Sequence, residues 1–420
     1  MSSLVPDGWK ASQLDDLLSK IEGGGTPSRI NPLFWDGNIP WATVKDLKGV
    51  MLTNTQETIS KVGLEGSSCK LIPENTIIIA CRMAVGKAVV FNKAVAINQD
   101  LKALYPKSNT EWRFLIQWYL SNAQYIESLG TGSTVKGIRL EHLKFLPINL
   151  PPLPEQQKIA KILTSVDEVI EKTQAQIDKL KDLKTGMMQE LLTKGIEHTE
   201  FKDSPVGRIP VGWEVVELKS IAAVKGGKRM PKGRPFSETK TSHPYIRVTN
   251  FEKGTINCSD LKYVLPEDQE KIKRYIIKKS DLYISIAGSI GLIGSVPNKL
   301  DGAQLTENAA KISLNKPAIT SKEFIKYLLS SSIVQNQFHQ ETGAGGGVPK
   351  LALFRIESTL LPLPNFIEQD KIANVLSAID KNIENIERKL TSTKSVKKAL
   401  MQDLLTGKVR VKIDKETAIN

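Results

Sequence analysis

The chain has 420 residues, with 58 Lys and Arg against 45 Asp and Glu, a net charge of +13 and a pI near 9.4. That length exceeds one ordinary core and predicts at least two domains, and 40% hydrophobic with 25% charged residues is the balance of a soluble globular protein. The sequence shows no run of eighteen apolar residues and no basic-then-apolar leader, so the expectation is a cytoplasmic protein without a membrane span.

Cys69, Cys81 and Cys258 are odd in number and far apart, which fits a reducing compartment and no structural zinc. His142, His198, His243 and His339 are scattered, and no pair shares a helix face, so no metal site is expected. The basic surplus favours a polyanionic partner, with nucleic acid first, although solubility alone accounts for it equally well.

In chain order, "VPDGWKASQLDDLLSKIEGG" (residues 5–24) opens a first globular segment. It continues through "IPWATVKDLKG" (39–49) to β-branched runs at Asn75–Arg82 and Lys87–Ile97, which predict strands. Glu111–Asn122 predicts an amphipathic helix. After "GTGSTVKGI" (130–138) the Pro-rich stop "PLPEQQKIAKIL" (152–163) opens a long helix. Its apolar residues Leu163, Val166, Ile170, Ile177, Leu180, Met187 and Leu191 form a heptad seam interrupted at Thr173 and Lys184.

From residue 209 the chain starts again. "IPVGWEVVELKSIAAVKGG" (209–227), "HPYIRVTNFEKG" (243–254), a strand at Ser280–Gly288, a helix at Ser321–Phe338, "GAGGGVPKL" (343–351) and "PLPNFIEQDKIANVL" (362–376) follow in the same order. The second seam is Leu376, Ile379, Ile383, Ile386, Leu390, Leu400 and Leu404, interrupted at Thr393 and Lys397. Pro40 pairs with Pro244, an offset of 244 − 40 = 204, and Glu155 with Glu368, an offset of 368 − 155 = 213. The globular part therefore differs in length between copies, while Glu155–Thr193 and Glu368–Thr406 align without a gap.

So narrow a seam requires a partner, and pseudo-twofold symmetry makes that partner the other helix, antiparallel. The alternative is a core helix packed within its own domain. The fold class expected is α+β: two tandem α/β domains joined by two long helices in an antiparallel coiled coil. The boundaries expected are 1–154 for the first domain, 155–194 for the first helix, 195–208 for a linker, 209–367 for the second domain, 368–406 for the second helix and 407–420 for a tail.

Basic and polar residues gather in Gly-rich loops at matching places. In the first half these are Thr26, Ser28, Arg29, Lys45, Arg82, Lys87, Lys136 and Arg139; in the second, Lys225, Lys228, Arg229, Lys232, Arg234, Arg247, Asn250 and Lys350. Arg and Lys suit phosphate oxygens, Arg and Asn can pair with base edges, and glycines let backbone N–H groups approach an anion. Catalytic motifs fail. Gly86-Lys87 lacks the rest of a P-loop, "GTGSTVKG" is not G-x-G-x-x-G, and "NLPPLP" (149–154) lacks the pattern of an amino-methyltransferase. No catalytic set of carboxylates, Ser-His-Asp or Cys-His appears in both halves.

With "GGGTPSR", "LIPENTIIIACRMAVGKAVV", "NQDLKALYP", "LPPLPEQQKIAKIL", "IEQDKIANVL" and "LLTGKVRV" in this order, the chain resembles the specificity subunits of type I restriction–modification systems over essentially its whole length. The resemblance implies two target-recognition domains, each reading one half of a bipartite site on double-stranded DNA, and two helices that set the gap. It implies two modification subunits as partners, which hold S-adenosylmethionine and methylate adenine. Restriction subunits, which use ATP with Mg, join them. This chain would then be a non-catalytic reader with no cofactor of its own. "KGGKRMPKG" and "IGL" in the second half depart from the family's "GGTPS" and "VGK". The rival readings are a coiled-coil scaffold that binds protein only and a self-contained DNA methyltransferase.

Overall fold

The computed structural model describes residues 5–132, 136–340 and 350–413. The chain divides into two compact units: unit 1 is residues 1–175 and 388–420, and unit 2 is residues 176–387. Each long helix, Leu153–Leu191 and Phe366–Leu404, is thus shared between the units.

The head of unit 1 is built on two sheets. One runs in the order Leu18–Gly23, Leu101–Pro106, Ile77–Ala80, Ala88–Phe91, Met51–Leu52; the other runs Glu57–Ile59, Trp35–Ala42, Val95–Ile97, Leu71–Ile72. The run Ile77–Ala80 is apolar without alternation because both its faces are covered. Ile77 and Ile79 enter the core shared with the head helix Trp112–Ser121, while Ile78 and Ala80 enter the core between the sheets. The predicted strand at Lys87–Ile97 is two strands, Ala88–Phe91 and Val95–Ile97, one in each sheet, separated by a bend at Asn92 and Lys93.

Unit 2 repeats the plan with Ala222–Gly226, Ala309–Leu314, Leu282–Ser285, Ile293–Ser295 and with Lys262–Tyr263, Pro244–Ile246, Ala303–Leu305, Ile276–Ile277. Its predicted helix at Ser321–Phe338 is broken. Ser331 is extended (ψ 159°) between Lys322–Ser330 and Ser332–Gln340, and its hydroxyl donates back to the Leu328 carbonyl at 2.6 Å. A run of three serines offers the backbone such local alternatives to a helix.

The repeated helix entrance has a structural reason. Glu155 is 1% exposed; it accepts from Trp9 Nε1 at 3.0 Å and from Arg410 Nε at 2.7 Å and a terminal guanidinium nitrogen at 2.8 Å. Glu368, 8% exposed, accepts from Trp213 Nε1 at 3.2 Å and from the Ile196 backbone N–H at 3.0 Å, and its Oε1 lies 2.9 Å from His198 Nε2. The next residue is a buried glutamine in both copies. Gln156 accepts from the Glu111 N–H at the start of the head helix and donates to the Pro151 and Asn109 carbonyls; Gln369 does the same with Ser321, Pro364 and Ile319. "EQ" therefore docks each head onto its long helix.

Within each unit the first turns of one long helix accompany the last turns of the other. In unit 1 Ile159, Leu163, Leu404 and Leu405 share a core; in unit 2 Ile372, Leu376 and Leu192 do, with Met187 and Leu191 against it. Both pairs are antiparallel. Of the predicted seam, Leu163, Ile177, Leu376, Ile383, Leu390 and Leu404 are buried, and Val166, Ile170, Leu180, Met187, Leu191, Ile379, Ile386 and Leu400 are half-buried.

The two lysines that interrupt the seam are paired. In unit 1 Lys397 meets Asp167 at 2.6 Å, and Asp167 also accepts from Gln117 of the head helix at 2.7 Å. In unit 2 Lys184 meets Asp380 at 2.6 Å, and Asp380 accepts from the Tyr327 hydroxyl at 2.7 Å. No helix among the described residues is long and apolar enough to cross a membrane.

Candidate nucleic-acid interface

In each head the loops of interest meet at one place. In unit 1 the Gly25 N–H reaches the Ile97 carbonyl, the Asn98 N–H the Ala42 carbonyl, and the Cys81 N–H the Asp100 carbonyl. In unit 2 the Gly227 N–H reaches Ala309, Thr306 reaches Ile246, and Ile286 reaches Asn308. The connection at Asn98–Asp100, and its counterpart Thr306–Asn308, is the hub around which the predicted loops collect. Its members Gln99, Asp100, Glu307 and Asn308 were missed from sequence because two are acidic and none is cationic. Their signal was their place in the repeat.

In unit 1 Thr26 donates to Gln99 at 2.5 Å, Arg82 lies 3.8 Å from Asp100, and the Met83 N–H bonds to the Lys136 carbonyl. Lys87 and Lys136 border a hollow of about 360 Å³ with Gly86, and Lys136 lies 3.7 Å from Glu127. Arg29 stacks on Trp35, 3.6 Å from its ring centre, and grips Glu57 with both terminal nitrogens. That bond holds the Glu57 carboxyl below its usual range. Ser28, Lys45 and Arg139 are exposed.

In unit 2 one groove of about 650 Å³ is lined by Gly227, Lys228, Arg229, Glu307 and Lys350. A second, about 640 Å³, is lined by Thr249, Gly288, Ser289, Asn308 and again Lys350. Arg229 donates to Glu307 at 2.5 Å. Burial pushes the Glu307 carboxyl up, but the bonds from Arg229, from its own backbone N–H and from Thr306 together outweigh it, and the carboxyl ends below its ordinary value.

Several expectations change here. Asn250 is buried, accepting from the Arg247 N–H and donating to the Asp260 carbonyl, so it braces a loop and presents no amide to a base. Arg247 is tied to Asp260 at 2.7 Å, and Arg234 to Asp268 at 2.8 Å and Glu267 at 2.7 Å, which draws Arg234 away from the loop cluster. The paired glycines are packing residues and not anion cradles. A Cβ on Gly24 would lie 1.8 Å from the Ile97 carbonyl oxygen, and one on Gly227 2.0 Å from that of Thr306. Thr134 and Gly343–Pro349 of the Gly-rich loops lie outside the described residues. Among the described residues Lys87, Arg139, Lys225, Lys232 and Lys350 have no acidic partner, which leaves their charge available to an anion, whereas the charge of Lys45 helps to hold Glu57 ionised.

The profile of the type I restriction modification DNA specificity domain matches residues 6–182 and again 210–394, once per copy of the repeat. The chain belongs to this family. The specificity subunit of the type I restriction enzyme MjaVIII from Methanocaldococcus jannaschii is 27% identical over 97% of this chain and 94% of its own length. The MjaIX specificity subunit of the same organism is 25% identical over 97% and 95%. A crystal structure of the type I restriction–modification S subunit from M. genitalium shares the fold, with a TM-score of 0.59 at 16% identity over 96% and 97% of the two chains.

Proposed function

We propose that the chain is the DNA-reading subunit of a type I restriction–modification complex. Each head takes one half of a bipartite site on double-stranded DNA, and the long helices fix the interval between the halves. The reading rests on one observation: in both heads, unpaired lysines stand on the same cluster of loops, in a chain whose family is defined by DNA specificity. Arg29, Arg82 and Arg229 begin in pairs with carboxylates at the surface. Such solvent-exposed pairs are held weakly against water and salt, so phosphate can displace them.

Chemistry falls to partners. Modification subunits carrying S-adenosylmethionine, and restriction subunits using ATP with Mg, would act on the site this chain selects. The chain itself would supply no catalytic group.

The test is DNA affinity against salt for the full chain on a random-sequence duplex. A steep log–log slope is expected, and Lys87→Ala and Lys350→Ala should each lower it by about one. A flat slope, or one that neither substitution changes, refutes the electrostatic part of this reading.

A further inference from the structure

Unit 1 carries a groove of about 160 Å³ floored by Val50, Met51, Trp112 and Ile116, with Glu168 and Glu171 of the first long helix on its rim. Ile116 is buried at its base, while Met51 opens to solvent. The other charges around it are already committed. Arg113 lies 3.4 Å from Glu111 and over the Trp112 ring, and Asp167 is taken by Lys397 and Gln117. Among the described residues Glu168 reaches only Lys172, at 3.8 Å. Glu171 has no hydrogen-bond or ion-pair partner among the described residues, and burial together with Asp167 and Glu168 pushes its carboxyl above the ordinary value, against a smaller opposing pull from Lys397.

The internal repeat shows what belongs in such a place. The Val50 carbonyl accepts from Val90 as the Gly254 carbonyl accepts from Ser295, which pairs Gly49 with Lys253. Counting onward through the repeat, unit 2 has Lys322 for Trp112, Lys326 for Ile116 and Lys381 for Glu168, while Glu384 keeps the acid of Glu171. Lys253 meets Glu387 at 2.6 Å, and Glu387 also holds Lys181 at 3.2 Å. Unit 2 thus has lysines at most of these positions, with the Lys322 ammonium donating to the Lys279 carbonyl and the Lys326 ammonium to Glu323, while Lys253 reaches the long helix. Unit 1 offers apolar and acidic groups there, and Gly49 has no side chain to contribute.

We infer that this groove receives one lysine or arginine side chain, with an adjoining apolar residue, from a modification subunit, and that unit 2 has no equivalent contact. The inference rests on the function proposed above for its choice of partner. The volume suits a single long side chain. Its stem would lie on Trp112 and Ile116, and its charge would meet Glu171. DNA is the wrong occupant, since two carboxylates without a strong cationic partner repel phosphate.

The experiment titrates the full-length chain with purified modification subunit and counts bound copies by native mass spectrometry. The wild type is compared with Glu168→Lys/Glu171→Lys and with the milder Glu168→Gln/Glu171→Gln, both on exposed rim positions. Wild type should bind two copies. The lysine variant should hold one copy as before and the other about tenfold more weakly, and the glutamine variant should fall between. Two copies bound equally well by all three proteins would overturn the groove while leaving the proposed function intact. Equal loss of both copies would overturn the asymmetry. A wild-type chain that binds none would overturn both readings.

Discussion

Glu155 and Glu368 hold the same position in their units but close on different donors. Glu155 takes two parallel bonds from the Arg410 guanidinium, whereas Glu368 takes a backbone N–H from Ile196 and approaches the His198 ring. Both keep the indole N–H of a tryptophan that lies one residue before a strand, Lys10–Gln13 in unit 1 and Glu214–Glu217 in unit 2. A buried carboxylate has several lone pairs, and any convergent set of donors satisfies it. The acceptor is therefore repeated residue for residue, while its partners have been free to drift.

The sharpest way to break that comparison is to remove the acceptors. Glu155→Ala and Glu368→Ala should each lower stability by about 3 kcal/mol, because each strands a buried tryptophan N–H and also breaks a second bond, from Arg410 in unit 1 and from the Ile196 N–H in unit 2. Removing single donors should separate the units. Arg410→Ala should cost about 1–2 kcal/mol, discounted because its guanidinium is 44% exposed. His198→Ala should cost less, since Ile196 and Trp213 still serve Glu368. Denaturant unfolding measures all four; equal losses for Arg410→Ala and His198→Ala would remove the distinction.

The heads and the helices also differ in how far sequence revealed them. The long helices were legible because the heptad period, the Pro stops and the gapless repeat all point to the same element; even the interrupting lysines coincide in register. The role of "EQ" was not legible, because a buried glutamate and a charged surface glutamate read alike until Trp9 and Trp213 are seen beside them. In the heads the cationic loops were found, yet their pairing was not. Arg29 and Glu57 are 57 − 29 = 28 residues apart, and Arg229 and Glu307 are 307 − 229 = 78 apart, separations no local pattern encodes. Asn250 misled for a related reason: residue type suggests a base reader, and only burial shows a brace. The Gly-Gly pairs were read as anion cradles because close backbone approach serves an anion and a neighbouring strand equally.

The seam lysines refine the same comparison at smaller scale. The Lys397 and Asp167 side chains are 14% and 16% exposed, against 27% and 38% for Lys184 and Asp380. Lys397→Met should therefore cost more than Lys184→Met, about 2 against about 1 kcal/mol, because Asp167 is left the drier of the two unpaired carboxylates. Equal costs in thermal unfolding would show that exposure does not govern this pair.

The smallest expected effect is one of sign. Glu171 and Glu387 both face the junction of a head with a long helix, and their carboxyls move in opposite directions from the ordinary value of 4.5. Glu171 is raised by burial and by its acidic neighbours. Its folded form holds the proton more tightly than the unfolded chain, so its contribution to stability falls as pH rises from 4.5 through its own pKa. Glu387 is lowered, chiefly by the Lys253 bond and against the pull of burial, with Lys181 adding to it. The unfolded chain holds that proton more tightly, so the stability it lends is complete above 4.5 and is lost as pH falls through its depressed pKa. Acidification from neutral pH should therefore first relieve unit 1 and only later loosen unit 2. Glutamate side-chain carbonyl shifts followed by NMR, assigned with Glu171→Gln and Glu387→Gln, should place one midpoint above 4.5 and the other below. Midpoints in the reverse order would mean that unit 2's lysines do not neutralise its junction and that unit 1's carboxylates are already matched.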